Sequence, residues 1–152
     1  MTEFLDGPQG RRIAYNRLEG QGPCVLFLGG FRSDMQGTKA VWLEDWARRR
    51  GQAFLRFDYS GHGASEGAFE DGCIGDWLAD ARAVLERLVP GPVVLVGSSM
   101  GGYVSVAGSS LLQARGMFLL APALYMPGYE KFSPRPANCP TTIIHGWKDD
   151  VI

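Results

Sequence analysis

The sequence predicts an α/β fold: an open, mostly parallel sheet with helices on both faces, in a single domain spanning residues 1–152. Three observations carry that expectation. Short apolar runs alternate along the chain with stretches of helical period. The spacings between the runs suit crossover connections, which parallel strands require. The central runs, Val25-Leu26-Phe27-Leu28 and Val93-Val94-Leu95-Val96, are apolar at every position, as in strands covered on both faces.

Each element has its own signal. Arg12 to Arg17 reads as a strand closing an N-terminal hairpin. Val25 to Leu28 is the first core strand, ended by Gly29-Gly30. Thr38 is placed to cap a helix that runs to Arg50 and stops at Gly51. Ala53 to Asp58 is the next strand, and Tyr59 to Gly72 is loop, rich in glycine, serine and acids. Ile74, Trp77, Leu78, Ala81, Val84, Leu85 and Leu88 recur at helical spacing, so Ile74 to Leu88 is a helix with one apolar face, stopped by Pro90-Gly91-Pro92. Val93 to Val96 is a strand, Gly101 to Gln113 a helix of small residues, and Gly116 to Leu120 and Thr142 to His145 complete the strands. Ala121 to Pro140 is a proline-rich loop.

Bulk properties narrow the function. With 45% hydrophobic residues and a formal net charge of −1, the chain has material for a core and no basic surplus for nucleic acid. The N-terminus shows no signal-peptide pattern, and the longest nearly apolar run, Met117 to Met126, is too short to span a bilayer. A soluble cytoplasmic protein without a membrane partner is expected. Cys24, Cys73 and Cys139 are odd in number and widely spaced, fitting neither a disulfide framework nor a zinc set, so they read as buried or idle thiols.

The chemistry gathers at the carboxyl ends of the strands, where open α/β sheets bind ligands. Gly97-Ser98-Ser99-Met100-Gly101 joins a strand to a helix, the context that holds a serine at a sharp turn as a nucleophile. Ser99 is the candidate nucleophile, and the N–H of Met100 opens the helix as a candidate oxyanion donor. The same Gly-x-Ser-x-Gly pattern recurs at Gly63 to Gly67, but no helix follows it directly, so Ser65 reads as a turn serine. Leu28-Gly29-Gly30-Phe31-Arg32 supplies the second candidate donor, the N–H of Phe31; an ordinary strand-end turn is the alternative. In His145-Gly146-Trp147-Lys148-Asp149-Asp150, an acid just past a late strand is placed to orient a histidine. Asp149 is preferred to Asp150, and a solvated acidic pair is the alternative. Tyr125, Met126, Tyr129 and Phe132 suit either a short apolar cap over an acyl chain or plain packing.

Four of these pieces in order resemble the α/β-hydrolase-fold serine hydrolases: Leu28 to Phe31, Asp58 to Ser65, Gly97 to Gly101 and His145 to Asp149. Gly37-Thr38-Lys39 with the Asp58-Tyr59-Ser60-Gly61 loop is most similar to the small acyl-hydrolase branch related to palmitoyl-protein thioesterases and acyl-glucuronide esterases. The resemblance implies hydrolysis of a small-molecule carboxylic ester or thioester through an acyl-enzyme on Ser99, with no metal or organic cofactor. It also implies a histidine one strand beyond the acid. The chain holds only His62 and His145, and neither has that position in chain order. The resemblance therefore implies a domain that is C-terminally incomplete, its last strand and helix missing and the Thr142–His145 strand left as an exposed edge. Two rival readings stay open: a catalytically silent relative that binds an acyl ligand or a partner, and acyl transfer on the same serine.

Overall fold

The computed structural model describes residues 1–125 and 136–146. Seven strands form one sheet: β1 (Glu3–Asp6), β2 (Arg12–Leu18), β3 (Gln21–Leu28), β4 (Gln52–Phe57), β5 (Val93–Ser98), β6 (Ala114–Leu120) and β7 (Thr141–Ile144). Their spatial order is β1-β2-β4-β3-β5-β6-β7. β1 and β2 form the antiparallel N-terminal hairpin, and β2 lies antiparallel on β4. From β4 through β7 the sheet is parallel.

Helices cover both faces. The chain leaves β3 through α1 (Thr38–Arg50), leaves β4 through α2 (Ile74–Leu88), and leaves β5 through α3 (Met100–Gly108). The period-2 alternation of the strands divides the core accordingly. Val25, Phe27, Phe54 and Val96 pack with Ala40 and Ala47 of α1. Leu26, Leu28, Leu55 and Leu95 point the other way, against Trp77, Ala81 and Val84 of α2 and Val104 of α3. Fully apolar runs are thus required, because each face of β3 and β5 meets a different layer.

Several boundaries differ from expectation. Thr38 is the first helical residue and caps nothing; Gly37 holds the cap position without a side-chain bond. α3 ends at Gly108, and Ser109 to Gln113 form turns instead of further helix. The loop from Tyr59 to Gly72 contains one short 3-10 turn, Phe69–Asp71. Cys73 is exposed, with its backbone N–H donating to the Asp76 carboxylate at the start of α2. Cys24 is half-buried, and desolvation pushes its thiol up to about 11, so it stays protonated.

The α1 face is only partly filled. An apolar groove of about 440 Å³ runs beside α1, between Trp42 and Trp46 on the helix and Val94, Val96, Phe118 and Leu120 on the sheet. Trp42 is 58% exposed and Phe118 47%. β7 pairs with β6 and, among the described residues, with no other strand. Its four residues are all exposed, and the strand runs one residue earlier than the expected Thr142–His145.

One buried ion pair ties α1 to the sheet. Arg56 of β4, 5% exposed, donates through Nε to the Glu44 carboxylate of α1. Its Nη1 donates to the Met35 carbonyl at 2.6 Å and to Gln36 Oε1 at 3.2 Å. Burial works to raise the Glu44 pKa, but Arg56 and Arg48 outweigh it and hold the carboxyl below its ordinary value. A carboxylate depressed in the folded state stabilises above its unfolded pKa and loses that contribution as pH falls through the folded one. Glu44→Gln is therefore expected to cost about 2–3 kcal/mol at neutral pH, because it leaves a buried guanidinium without its counter-charge. Urea unfolding checks this. The wild-type advantage over the variant should shrink in acid, once pH drops through the lowered Glu44 pKa.

Candidate functional site

The strand order reverses direction between β3 and β5. α1 leaves β3 toward one face and α3 leaves β5 toward the other, so a crevice opens where the two connections part. Ser99 stands at this point, between β5 and α3, half-buried. Its backbone has φ 54° and ψ −115°, a left-handed conformation that L-residues adopt only under constraint. Three backbone bonds impose it. The Ser99 N–H donates to the Leu120 carbonyl at 3.0 Å, and the Ser99 carbonyl accepts from Gly102 at 3.0 Å and Ala123 at 2.9 Å.

The flanking glycines are required by space. A Cβ on Gly97 would lie 2.4 Å from the Gly101 carbonyl oxygen, and one on Gly101 would lie 1.9 Å from the Leu28 carbonyl oxygen. The turn is thus folded directly onto the end of β3. The loop after β3 lies alongside: a Cβ built on Gly30 would be 3.6 Å from the Cβ of Ser99. The N–H groups of Phe31 and Met100 donate to no acceptor among the described residues. For Met100 this follows from its place as the first residue of α3, where no intrahelical acceptor exists.

That loop is gripped along its length by the end of β4. Tyr59 Oη donates to the Gly29 carbonyl at 3.2 Å. His62 Nε2 accepts from the Arg32 N–H at 3.3 Å. Asp58 Oδ1 accepts from the Met35 N–H at 2.7 Å, and Arg56 donates to the carbonyl of the same residue. Arg32 is held at φ 55°. Asp58 is itself buried; desolvation raises its carboxyl, against the opposing bonds from the Ala64 and Met35 N–H groups. Asp58, Tyr59 and His62 belong to the Asp58–Ser65 stretch that carries the family resemblance, whereas Arg56, inside β4, has no such signal. The signal was present as a polar cluster, Asp58-Tyr59-Ser60-Gly61-His62, just beyond a core strand.

His62 is committed structurally. It is 4% exposed, enclosed by the rings of Tyr59, Phe69 and Trp77. Since Nε2 accepts from Arg32, Nδ1 carries the proton and donates to the Ser60 carbonyl at 3.1 Å. Both ring nitrogens are engaged, and neither is bonded to Ser99. Ser65 is a stitching residue: its Oγ accepts from the Ala14 N–H at 2.8 Å and donates to the Asp58 carbonyl at 2.6 Å. The turn reading of the second Gly-x-Ser-x-Gly is therefore the one the geometry supports. His145 follows β7 in an exposed position. Asp149 and Asp150 lie outside the described residues, as do Met126, Tyr129 and Phe132; Tyr125 is described and is 68% exposed.

A strained serine on a strand–turn–helix at the switch point of a parallel sheet defines a class, and comparison with known proteins agrees with it. Residues 25–150 match the model of the alpha/beta hydrolase family, and the chain belongs to that family. It is 30% identical to bovine "Palmitoyl-protein thioesterase ABHD10, mitochondrial" and equally to the human protein of that name, over 98% of this chain and 64% of each relative. The chain thus spans less than two thirds of those relatives. The match runs over 196 positions against 152 residues here, so the relatives carry residues within the matched stretch that have no counterpart in this chain. Among solved structures, mouse "Alpha/beta hydrolase domain-containing protein 10" superposes with a TM-score of 0.90 at 28% identity, over 99% of this chain and 79% of that one. A "Putative hydrolase from Agrobacterium vitis S4" gives 0.76 at 43% identity, over 81% and 52%.

Two substitutions separate the two serine motifs. Gly101→Ala should destabilise by more than about 3 kcal/mol or prevent folding, because its methyl overlaps backbone that cannot turn aside. Ser65→Ala should cost only about 1–2 kcal/mol, for one buried N–H and one carbonyl left unpaired. Thermal unfolding of the two variants, side by side with wild type, checks the ranking.

Proposed function

We propose that this chain is a serine hydrolase that cleaves carboxylic esters or thioesters through an acyl-enzyme on Ser99. The observation that carries the proposal is the strained Ser99 turn with two uncommitted N–H groups, those of Phe31 and Met100, on the two connections that meet there. In the reaction Ser99 Oγ bonds to the acyl carbon, and the N–H groups take the charge on the carbonyl oxygen. The leaving alcohol or thiol departs with a proton, and water then releases the acid. The names of the bovine and human relatives favour a thioester. Asp149 is the acid proposed to orient the histidine.

A serine hydroxyl needs a base before it attacks. With both nitrogens of His62 engaged away from Ser99, that residue is not the base. This favours a second reading, in which the 152 residues bind an acyl ligand and turn over only when His145 or a histidine from outside them serves as the base. Intact mass after exposure to a fluorophosphonate, with peptide mapping, decides between the two. A stoichiometric adduct on Ser99, absent in Ser99→Ala, is the expected result for the hydrolase reading. A folded chain that stays unlabelled supports the binding reading.

A further inference from the structure

Arg32 sits one residue beyond Phe31, and two beyond Gly30, where an added Cβ would come within 3.6 Å of the Ser99 Cβ. Two residues of chain span at most about 7 Å, so its Cα stays close to the reacting centre. Its side chain is exposed and lies over aromatic rings, with Cζ 4.6 Å from the centroid of Phe69 and 5.9 Å from that of Phe31. Its backbone is fixed by the bond to His62 and by its left-handed conformation. Among the described residues no carboxylate lies within ion-pair distance of it; Arg11, Arg50, Arg87 and Arg115 share that state, and what sets Arg32 apart is its place beside the serine turn. A guanidinium stacked on a ring keeps its fork of donors at the edge, free to bind anionic oxygens in pairs.

We infer that Arg32 is a specificity residue for anionic substrates: it binds a carboxylate or phosphate carried on the acyl group or the leaving group of the ester or thioester. The inference rests on Ser99 as the acyl-binding centre, but not on its reactivity. Phe31 links the two functions. Its N–H belongs to the proposed oxyanion site, and its ring, packed edge-on against Phe69 at 4.9 Å, forms part of the shelf on which the guanidinium rests. A substrate that engages Arg32 would therefore be held next to the donor that stabilises its carbonyl oxygen.

The test uses the full 152-residue chain carrying Ser99→Ala, so that no turnover is needed. Three ligands are titrated: phenyl hemisuccinate, with its carboxylate on the acyl side; 4-acetoxyphenyl phosphate, with its anion on the leaving-group side; and neutral phenyl methyl succinate. Binding is followed by the Nε–H resonance of Arg32 in nitrogen-labelled protein and by the backbone amides around residue 99. At least one anionic ligand should bind about 10-fold more tightly than the neutral one, consistent with a charge-assisted hydrogen bond. That preference should vanish in Arg32→Gln, survive in part in Arg32→Lys, and fall with added salt. Which anion is preferred reports on which side of the scissile bond Arg32 faces. Equal affinity for all three ligands, a preference that persists in Arg32→Gln, or no shift at Arg32 overturns the inference. Fluorophosphonate labelling of Ser99 in the wild-type chain is scored separately, so the two readings fail independently.

Discussion

The site depends on one physical constraint: the end of β4 holds the loop that follows β3. A segment that turns back over a sheet edge has no ladder of its own, and its backbone groups must find partners elsewhere. Here the partners are Tyr59, His62, Asp58 and Arg56, which meet the loop at Gly29, Arg32 and Met35. All four are ionisable side chains, and all four are buried. Burial is costly for such groups unless each is bonded, and each is bonded to this loop. The energy of folding β4 is in this way coupled to the position of the Phe31 N–H.

The second constraint is steric. Gly101 allows α3 to start within contact distance of the β3 carbonyls, and Gly97 allows β5 to turn without striking α3. The serine between them takes up the strain, which the hydrogen bonds to β6 and the following segment sustain. Strand pairing, turn geometry and nucleophile position are thus one arrangement. The loop after β3 and the serine turn stay in register because β3 and β5 are direct neighbours through Leu28 and Gly97.

Much of this could be read in the sequence because the physics was local. Continuous apolar runs identified β3 and β5, a 3.6-residue period identified α2, and the glycine spacing identified the Ser99 turn. The wrong details were local too, but marginal: Thr38 has the chemistry of a cap, yet Gly37 takes the position, and the stretch beyond Gly108 turns instead of extending α3, although Ser109 and Leu112 are buried. The clamp was illegible for a different reason. Its members are 21 to 30 residues from the groups they hold, and no periodicity links them. His62 illustrates the limit. Its sequence position showed that it was out of order for a base, but only the two bonds to its ring show that it serves as a structural bridge.

The groove beside α1 has a thermodynamic meaning. Unfolding raises heat capacity mainly by wetting apolar surface that the native state keeps dry, ordinarily by about 12–15 cal/mol/K per residue. In this chain Trp42, Phe118, Ile143 and Ile144 already face solvent when folded. About half of their surface is already hydrated before the transition begins. The stability curve of these 152 residues should accordingly be shallow, with little extra strength at its optimum and a slow decline on either side, more like that of a smaller domain than of a fully covered sheet.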